Sequence, residues 1–300
     1  MDWHLVLAGV LVGFVVGLTG MGGGALMTPI LVLFFKVDPL TAVSSDLLAS
    51  VAMKPVGAAV HQRRGTVDMR LVRLLCYGSV PAAFCSVLLL RVLTDPASLQ
   101  SVIRAGLAVA LLLAVSTVVV RAIIERVRVR EPAAVTVRPV PTVLVGVVGG
   151  LVVGVTSVGS GSLIIVALML LYPGLTMARL VGTDLMQAIP LVGAAALGHL
   201  LFGDVEFHLT GALLLGALPA VYLGARLSSR APAGLIRSAL LIVLAASALK
   251  LLGASDAVVL WVGGAMVAVA LLLLVRSRRK SAKEPVDRAV GSPGPPRQDQ

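Results

Sequence analysis

Two glycine-rich stretches interrupt apolar segments of the chain, and their residue types and spacing could bind an anion. The first is Gly17–Gly24 (GLTGMGGG) and the second is Gly154–Ser162 (GVTSVGSGS). Each glycine costs a helix about 1 kcal/mol relative to alanine, so we predict that both segments break here into two short half-helices. The N-terminus of a half-helix carries unpaired N–H groups and about +0.5 of an elementary charge, which attracts anions.

The two breaks, with one lysine, form the predicted substrate site. Serine and threonine hydroxyls in both stretches add further hydrogen-bond donors. The predicted substrate-binding residues are Thr19, Gly20, Gly22, Gly23, Gly24, Lys54, Thr156, Ser157, Gly159, Ser160, Gly161 and Ser162. The alternative interpretation is that these small residues only let neighbouring helices pack closely, as they often do in membrane bundles.

Ionisable residues inside apolar segments supply charge to this site. An unpaired ammonium there costs about 2.5–3.5 kcal/mol, so we expect Lys54 to pair with an acid or face an anion. Asp46 and Asp184 each lie just inside the start of a segment. They either stabilise helix N-termini or act in proton coupling or gating. Gln187 joins this coupling or gating group, with a hydrogen bond to a neighbouring helix as the alternative.

Other reactive side chains give weaker patterns. His61 and His199 lie at segment ends, where placement at the membrane interface is favoured over a proton relay. Cys76 and Cys85 share one apolar segment without a CxxC motif or a histidine at ligand spacing. We therefore predict no catalytic residue, no metal site and no cofactor.

Composition indicates an all-α polytopic membrane protein. The chain is 58% hydrophobic and only 13% charged, whereas soluble domains carry about 25% charged residues. Its apolar residues fall in runs of about 20, which is the length that spans a lipid bilayer as a helix. The net charge of +11 does not indicate a nucleic-acid partner, because the basic residues cluster at the ends of apolar runs, as in membrane proteins.

The apolar runs predict a two-part organisation. A broken segment (about 5–35) precedes spans at about 42–61, 71–93 and 102–124, and a second (about 142–172) precedes spans at about 179–202, 208–228 and 236–252, with one extra C-terminal span at about 257–275. We assign residues 1–124 to a first membrane repeat, 125–141 to a basic cytoplasmic linker, 142–276 to a second membrane repeat, and 277–300 to a disordered basic, Pro- and Gly-containing tail.

The halves match one another at an offset of about 137 residues. Gly17 and Gly24 match Gly154 and Gly161, and farther along Asp46 matches Asp184. Basic loops place the linker and the C-terminus in the cytoplasm, provided that each broken segment crosses an even number of times, as a re-entrant hairpin or two short spans. The halves then form inverted-topology repeats, a plan of several secondary transporters.

Several short motifs resemble the sulfite exporter TauE/SafE family over about residues 5–275. The matching stretches are Gly17–Pro29, Val43–Leu48, Lys54–Gly57, His61–Asp68, Val181–Leu185, Gly198–His199 and Gly216–Pro219. The resemblance implies an inner-membrane carrier, in many members linked to sulfite, sulfoacetate or other sulfur-containing anions. Ser160 and Ser162 depart from the family's GxGGG pattern, because they stand where glycine is expected.

We therefore predict a multi-pass secondary transporter for a small anion such as sulfite or a sulfonate. The sequence has no P-loop, so the driving force is either the proton motive force or the substrate gradient; import, export and homo-oligomer formation stay open. Two alternatives are an intramembrane enzyme that pairs Ser157 or Ser160 with His199, which lacks an orienting acid, and a non-transporting membrane partner subunit.

Overall fold

The structure is a computed structural model that describes residues 3–19, 24–127, 136–227 and 233–268. These residues form helices joined by short turns, with no strand among them. The helices are α1 Trp3–Thr19, α2 Gly24–Leu33, α3 Pro39–Arg63, α4 Met69–Leu93, α5 Leu99–Val127, α6 Pro139–Thr156, α7 Leu163–Leu171, α8 Met177–Phe202, α9 Phe207–Leu227 and α10 Ala233–Leu251, followed by α11 Asp256–Ala268.

Six helices in the described ranges are long and apolar enough to cross a membrane: α3, α4, α5, α6, α8 and α9. Five of them coincide with predicted spans, so the prediction of an all-α protein with several membrane helices is confirmed. The span predicted at about 257–275 is described as helix only to Ala268. The predicted tail at 277–300 lies outside the described residues.

The second broken segment divides less evenly than predicted. Helix α6 has 18 residues, a length of about 27 Å that nearly matches a hydrocarbon core of about 30 Å. Helix α7 has only nine residues. The expectation of two short half-helices is therefore wrong for this segment, which pairs one long arm with one short arm.

Helix α6 is long because it begins inside the stretch that the sequence assigned to the linker. Pro139 is in its first turn, where a missing N–H costs nothing and the fixed φ of proline suits a helix. Helix α5 likewise continues to Val127. The polar connection between these two helices is consequently shorter than the predicted linker of residues 125–141.

Glycines bring two helix pairs into backbone contact. Helix α1 packs along α9, and α4 packs along α6. A Cβ atom on Gly13 would lie 2.6 Å from the carbonyl oxygen of Ala217, and one on Gly150 would lie 2.5 Å from that of Ser79. Side chains at these positions would force the helices apart, so small residues here serve close packing.

Helices α3 and α8 cross and position the ionisable residues, while α5 packs against α10. The buried apolar side chains form two clusters, one centred on α1, α2, α5, α9 and α10 and the other on α3, α4, α7 and α8. Large apolar side chains also cover the outside, including Trp3, Tyr77 and Phe207, which are 69%, 72% and 68% exposed. An apolar exterior of this kind suits a lipid environment.

Candidate functional site

The ionisable residues of α3 and α8 are buried where the two helices meet the second glycine break. Asp46 and Asp184 have 0% and 1% of their surface exposed, and Lys54 has 7%. Charged groups are rarely buried to this degree unless they are paired. The position of each group relative to the break therefore decides what the site can bind.

Lys54 contacts the second break. Its Nζ donates a hydrogen bond to the Ser160 hydroxyl, and it interacts electrostatically with both Asp184 and Asp46. This arrangement places a positive charge at the centre of the loop that joins α6 to α7. The prediction that Lys54 pairs with an acid or faces an anion stays a prediction.

Asp184 lies near the N-terminal end of the short helix α7. Its carboxyl group lies close to the backbone N–H of Gly161, two residues before α7 begins at Leu163. The Gln187 amide donates to Asp184 Oδ1 at 3.1 Å, and Ser79 of α4 donates to the Gln187 carbonyl oxygen at 3.3 Å. Gln187 therefore bonds a neighbouring helix and also holds the Asp184 carboxyl in place.

Asp46 lies where the two glycine breaks touch. Thr28 of α2 donates to Asp46 Oδ2 at 2.6 Å, and the Ser157 side chain of the second break lies beside the same carboxyl group. Gly24 begins α2, and a Cβ atom on it would lie only 1.8 Å from the Ser157 carbonyl oxygen. Gly24 at the end of the first glycine-rich stretch therefore contacts the second break, which is far away in sequence.

Positive backbone angles give the second break its shape. Ser157 adopts a φ of 58°, while Gly159 and Gly161 adopt φ values of 123° and 96°. Only glycine enters this region of φ without strain. The Thr156 hydroxyl donates to the Val152 carbonyl oxygen at 2.6 Å, so in this structure it stabilises the end of α6. The predicted role of Thr156 in binding substrate stays a prediction.

Buried oxygen atoms without partners mark room for a proton or a ligand. Among the described residues, Asp46 Oδ1, Asp184 Oδ2, Ser45 Oγ and Ser50 Oγ are buried and have no hydrogen-bond partner. Buried polar atoms are nearly always satisfied in proteins, and leaving one unsatisfied costs about 1–3 kcal/mol. The carboxyl groups from both halves therefore each keep one free acceptor at the site.

A small cavity adjoins the second break. Its volume of about 20 Å³ accommodates about one water molecule. It is lined by Val16, Ala25, Leu26, Ala114, Val118, Ser160, Gly161, Ser162, Leu240 and Leu244. An anion of several atoms does not fit in this space, so the surrounding helices have to move before such a ligand enters from this side.

The remaining predicted site residues lie at the edges of the two breaks or outside the described residues. Gly20, Gly22 and Gly23 lie outside the described residues, and Thr19 is the last residue of α1. Ser162 precedes α7 without a side-chain capping bond. The structure thus brings together Gly24, Lys54, Ser157, Ser160 and Gly161, whereas the first break is described only up to its two flanking helices.

The sequence did not predict the burial of His199. It lies in the last turn of α8, as expected, but it is 1% exposed and bonds Ser44 and Gly154, and its placement at the membrane interface stays a prediction. The repeat pairs His199 with His61, which is only half-buried. This pairing alone could not show that one histidine of the two is fully buried. Because both ring nitrogens have these partners, the Ser–His pair of the enzyme alternative is not formed.

A side chain added where Gly24 contacts Ser157 is expected to destabilise the protein. A Gly24→Ala variant places a methyl group against the Ser157 carbonyl, and such overpacking costs about 1–3 kcal/mol. We expect a lower melting temperature in detergent, measured by size-exclusion chromatography after heating. Gly193→Ala is the matched control, because nothing lies within 4 Å of its added Cβ atom. Equal melting temperatures for the two variants would contradict contact between the breaks.

Comparisons with known proteins agree with the resemblance. The family model described as sulfite exporter TauE/SafE matches residues 5–251. The chain is 37% identical over 238 residues to the probable membrane transporter protein YjnA of Bacillus subtilis, covering 77% of this chain and 91% of the relative. It is 25% identical over 248 residues to the probable membrane transporter protein YdhB of the same organism, covering 83% and 99%. No solved structure matches the chain.

Proposed function

The chain belongs to the sulfite exporter TauE/SafE family of membrane transporters, and on that premise we propose that it carries a small oxidised-sulfur anion, such as sulfite or a sulfonate, by secondary transport. The binding site is the meeting point of the two glycine breaks with α3 and α8. The transporter is a multi-pass protein of the inner membrane with its C-terminus in the cytoplasm.

The observation that carries this proposal is the contact between Lys54 and Ser160. It brings a buried ammonium to a hydroxyl in the loop that precedes α7. Amides at a helix N-terminus and a lysine ammonium together favour an anion with several acceptor oxygens. Sulfite and sulfonates each present three such oxygens, and the family description names sulfite.

We propose that the two halves are inverted repeats, and the helix packing supports this. The contact of α1 with α9 has a counterpart in the contact of α6 with α4, as expected if each half exchanges the same pair of helices. The glycine contacts also correspond: Gly13 with Ala217 matches Gly150 with Ser79 at the repeat offset. A two-fold relation within the membrane plane places the shared site at the repeat interface.

The closed cavity is compatible with alternating access. The cavity beside the break has room for about one water molecule. An anion of several atoms therefore does not fit beside Ser160 in this conformation. We propose that transport moves the α5–α10 side or the α1–α2 side away from the break, since these helices line the cavity. The anion then enters from one side of the membrane and leaves to the other.

A panel of anions in proteoliposomes tests the proposed function. Purified protein is reconstituted, and flux is measured for sulfite, thiosulfate, an alkyl sulfonate and a carboxylate of similar size, with and without a pH gradient. We expect saturable flux of sulfite or the sulfonate, absent from protein-free liposomes, and little flux of the carboxylate. If no sulfur-containing anion crosses faster than in protein-free liposomes, the proposed substrate class is wrong.

A further inference from the structure

We infer that His199 is a positioning residue for transport, because it fixes the end of α6 from which the second glycine break begins. The residue does not contact the proposed substrate site itself. It acts through the backbone of the break, and the transport part of this inference rests on the proposed function. Two buried hydrogen bonds of His199, which join three helices, support this role.

The His199 ring connects α8 to α6 and α3. Its Nε2 lies 2.7 Å from the carbonyl oxygen of Gly154 in α6, and its Nδ1 lies 2.7 Å from the hydroxyl of Ser44 in α3. The residue is 1% exposed, so water does not replace either contact. Both ring nitrogens are therefore committed to neighbouring helices.

The Gly154 carbonyl needs a donor because α6 ends at Thr156. In a continuous helix the N–H of Val158 would reach this carbonyl, but that N–H donates to the Thr156 hydroxyl at 3.2 Å. Carbonyl groups in the last turn of a helix lack helical partners. A carbonyl only accepts, so His199 Nε2 carries the proton and takes the place of the missing helical donor.

The Ser44 contact fixes the ring orientation. The Ser44 hydroxyl has one proton and two neighbouring acceptors, His199 Nδ1 at 2.7 Å and the Leu40 carbonyl at 2.8 Å. In the neutral ring, Nδ1 accepts that proton while Nε2–H points to Gly154.

The repeat supplies a matched control for this role. His61 is the equivalent residue in the first half, but its Nδ1 lies 3.0 Å from Thr66 in its own turn, and the ring is only partly buried. This His61 contact is local, whereas the contacts of His199 join separate helices. Removing the His61 ring is expected to leave the second break unchanged.

Two readouts test the inference. The first is KM and kcat for sulfite uptake by His199→Leu, His199→Gln and His61→Leu in proteoliposomes. The second is the labelling rate of a Ser162→Cys variant by a thiol reagent, in a Cys76→Ser/Cys85→Ser background. Ser162 is half-buried and lines the cavity beside the break, so its labelling reports the shape of the break whether or not sulfite is the substrate.

We expect His199→Leu to raise KM about tenfold, the scale of one lost buried hydrogen bond, with a smaller change in kcat and at least about fivefold faster labelling. His199→Gln should stay within about threefold of wild type in both readouts, because the Gln amide donates to Gly154 while its carbonyl oxygen accepts from Ser44. His61→Leu should match wild type in labelling.

Wild-type KM and labelling in His199→Leu would overturn the inference, as would a His199→Gln variant as impaired as His199→Leu. If His199→Leu does not fold, the Ser44→Ala variant tests the role of His199 instead. It removes the Nδ1 partner while the Gly154 bond remains, so labelling should rise about twofold to threefold; an unchanged rate would overturn the role. Absence of sulfite flux in wild type, with the labelling differences retained, would contradict the proposed substrate and not the role of His199.

Discussion

Replacing Lys54 by methionine is expected to lower kcat/KM for anion transport about 100- to 1,000-fold. Lys54 donates to Ser160 and interacts with two buried carboxyl groups. Removing one partner of a buried charge pair costs about 3–5 kcal/mol, and each 1.4 kcal/mol corresponds to a factor of ten. The variant also loses the cation that faces the anion, so both binding and the shape of the break are affected.

Initial rates of sulfite flux in proteoliposomes measure this effect, normalised to the amount of reconstituted protein. Lys36→Met is the matched control, because Lys36 is exposed in the turn after α2 and the substitution removes the same charge. We expect Lys36→Met to transport at the wild-type rate. A Lys54→Met variant with comparable activity would show that the anion binds elsewhere.

A double variant separates loss of folding from loss of transport. Lys54→Met/Asp184→Asn removes one positive and one negative group together, so it leaves fewer uncompensated buried charges than Lys54→Met alone. We expect the double variant to recover melting temperature and membrane yield but not transport. Recovery of both properties would show that Lys54 serves only to neutralise Asp184.

The pairing of Lys54 with Ser160 shows what the sequence could and could not predict. The free-energy cost of an unpaired ammonium inside an apolar segment predicted that Lys54 needs a partner. The glycine spacing predicted a break in each half. The repeat, however, assigns apolar Val192 to the Lys54 position and Gly23 to the Ser160 position. Two residues that depart from the repeat therefore bind one another, a contact across 106 residues that no local pattern encodes.

Contacts between distant parts of the chain also determine where α6 begins and why His199 is buried. Pro139 and Pro141 were interpreted as linker residues, yet prolines in a first helical turn are compatible with α6. His199 was placed at a segment end, which α8 bears out, whereas its burial depends on α4, α6 and α3 packing around α8. Periodicity defines the helices well, but which face becomes buried depends on neighbours that are distant in sequence.

We propose that Asp184 links anion binding to proton movement. Its carboxyl group lies close to the Gly161 N–H, which is one of the donors that the proposed anion would use. Two negative groups cannot share this donor without repulsion, and one ammonium, Lys54, already faces two carboxyl groups. Protonation of Asp184, whose Oδ2 has no partner, would remove the negative charge and release the amide to the anion.

An Asp184→Asn variant is therefore expected to exchange anions across the membrane but to lose accumulation driven by a pH gradient. The amide mimics the protonated carboxyl group, so the anion still binds, but no proton accompanies it. A gradient of one pH unit supplies about 1.4 kcal/mol per proton, so wild type can concentrate the anion up to about tenfold for each coupled proton. Asp184→Asn should equilibrate the anion without concentrating it.

Counterflow and gradient-driven uptake of labelled sulfite, measured in the same vesicles, distinguish these two properties. Asp38→Asn is the control, because Asp38 lies exposed before α3 and its neutralisation should change neither. Among the described residues Asp46 accepts from the Thr28 hydroxyl at 2.6 Å and from no backbone amide before α7, so Asp46→Asn should slow both activities without separating them. Gradient-driven accumulation that persists in Asp184→Asn would assign the coupled proton to another group, and loss of coupling in Asp46→Asn alone would assign it to the first half.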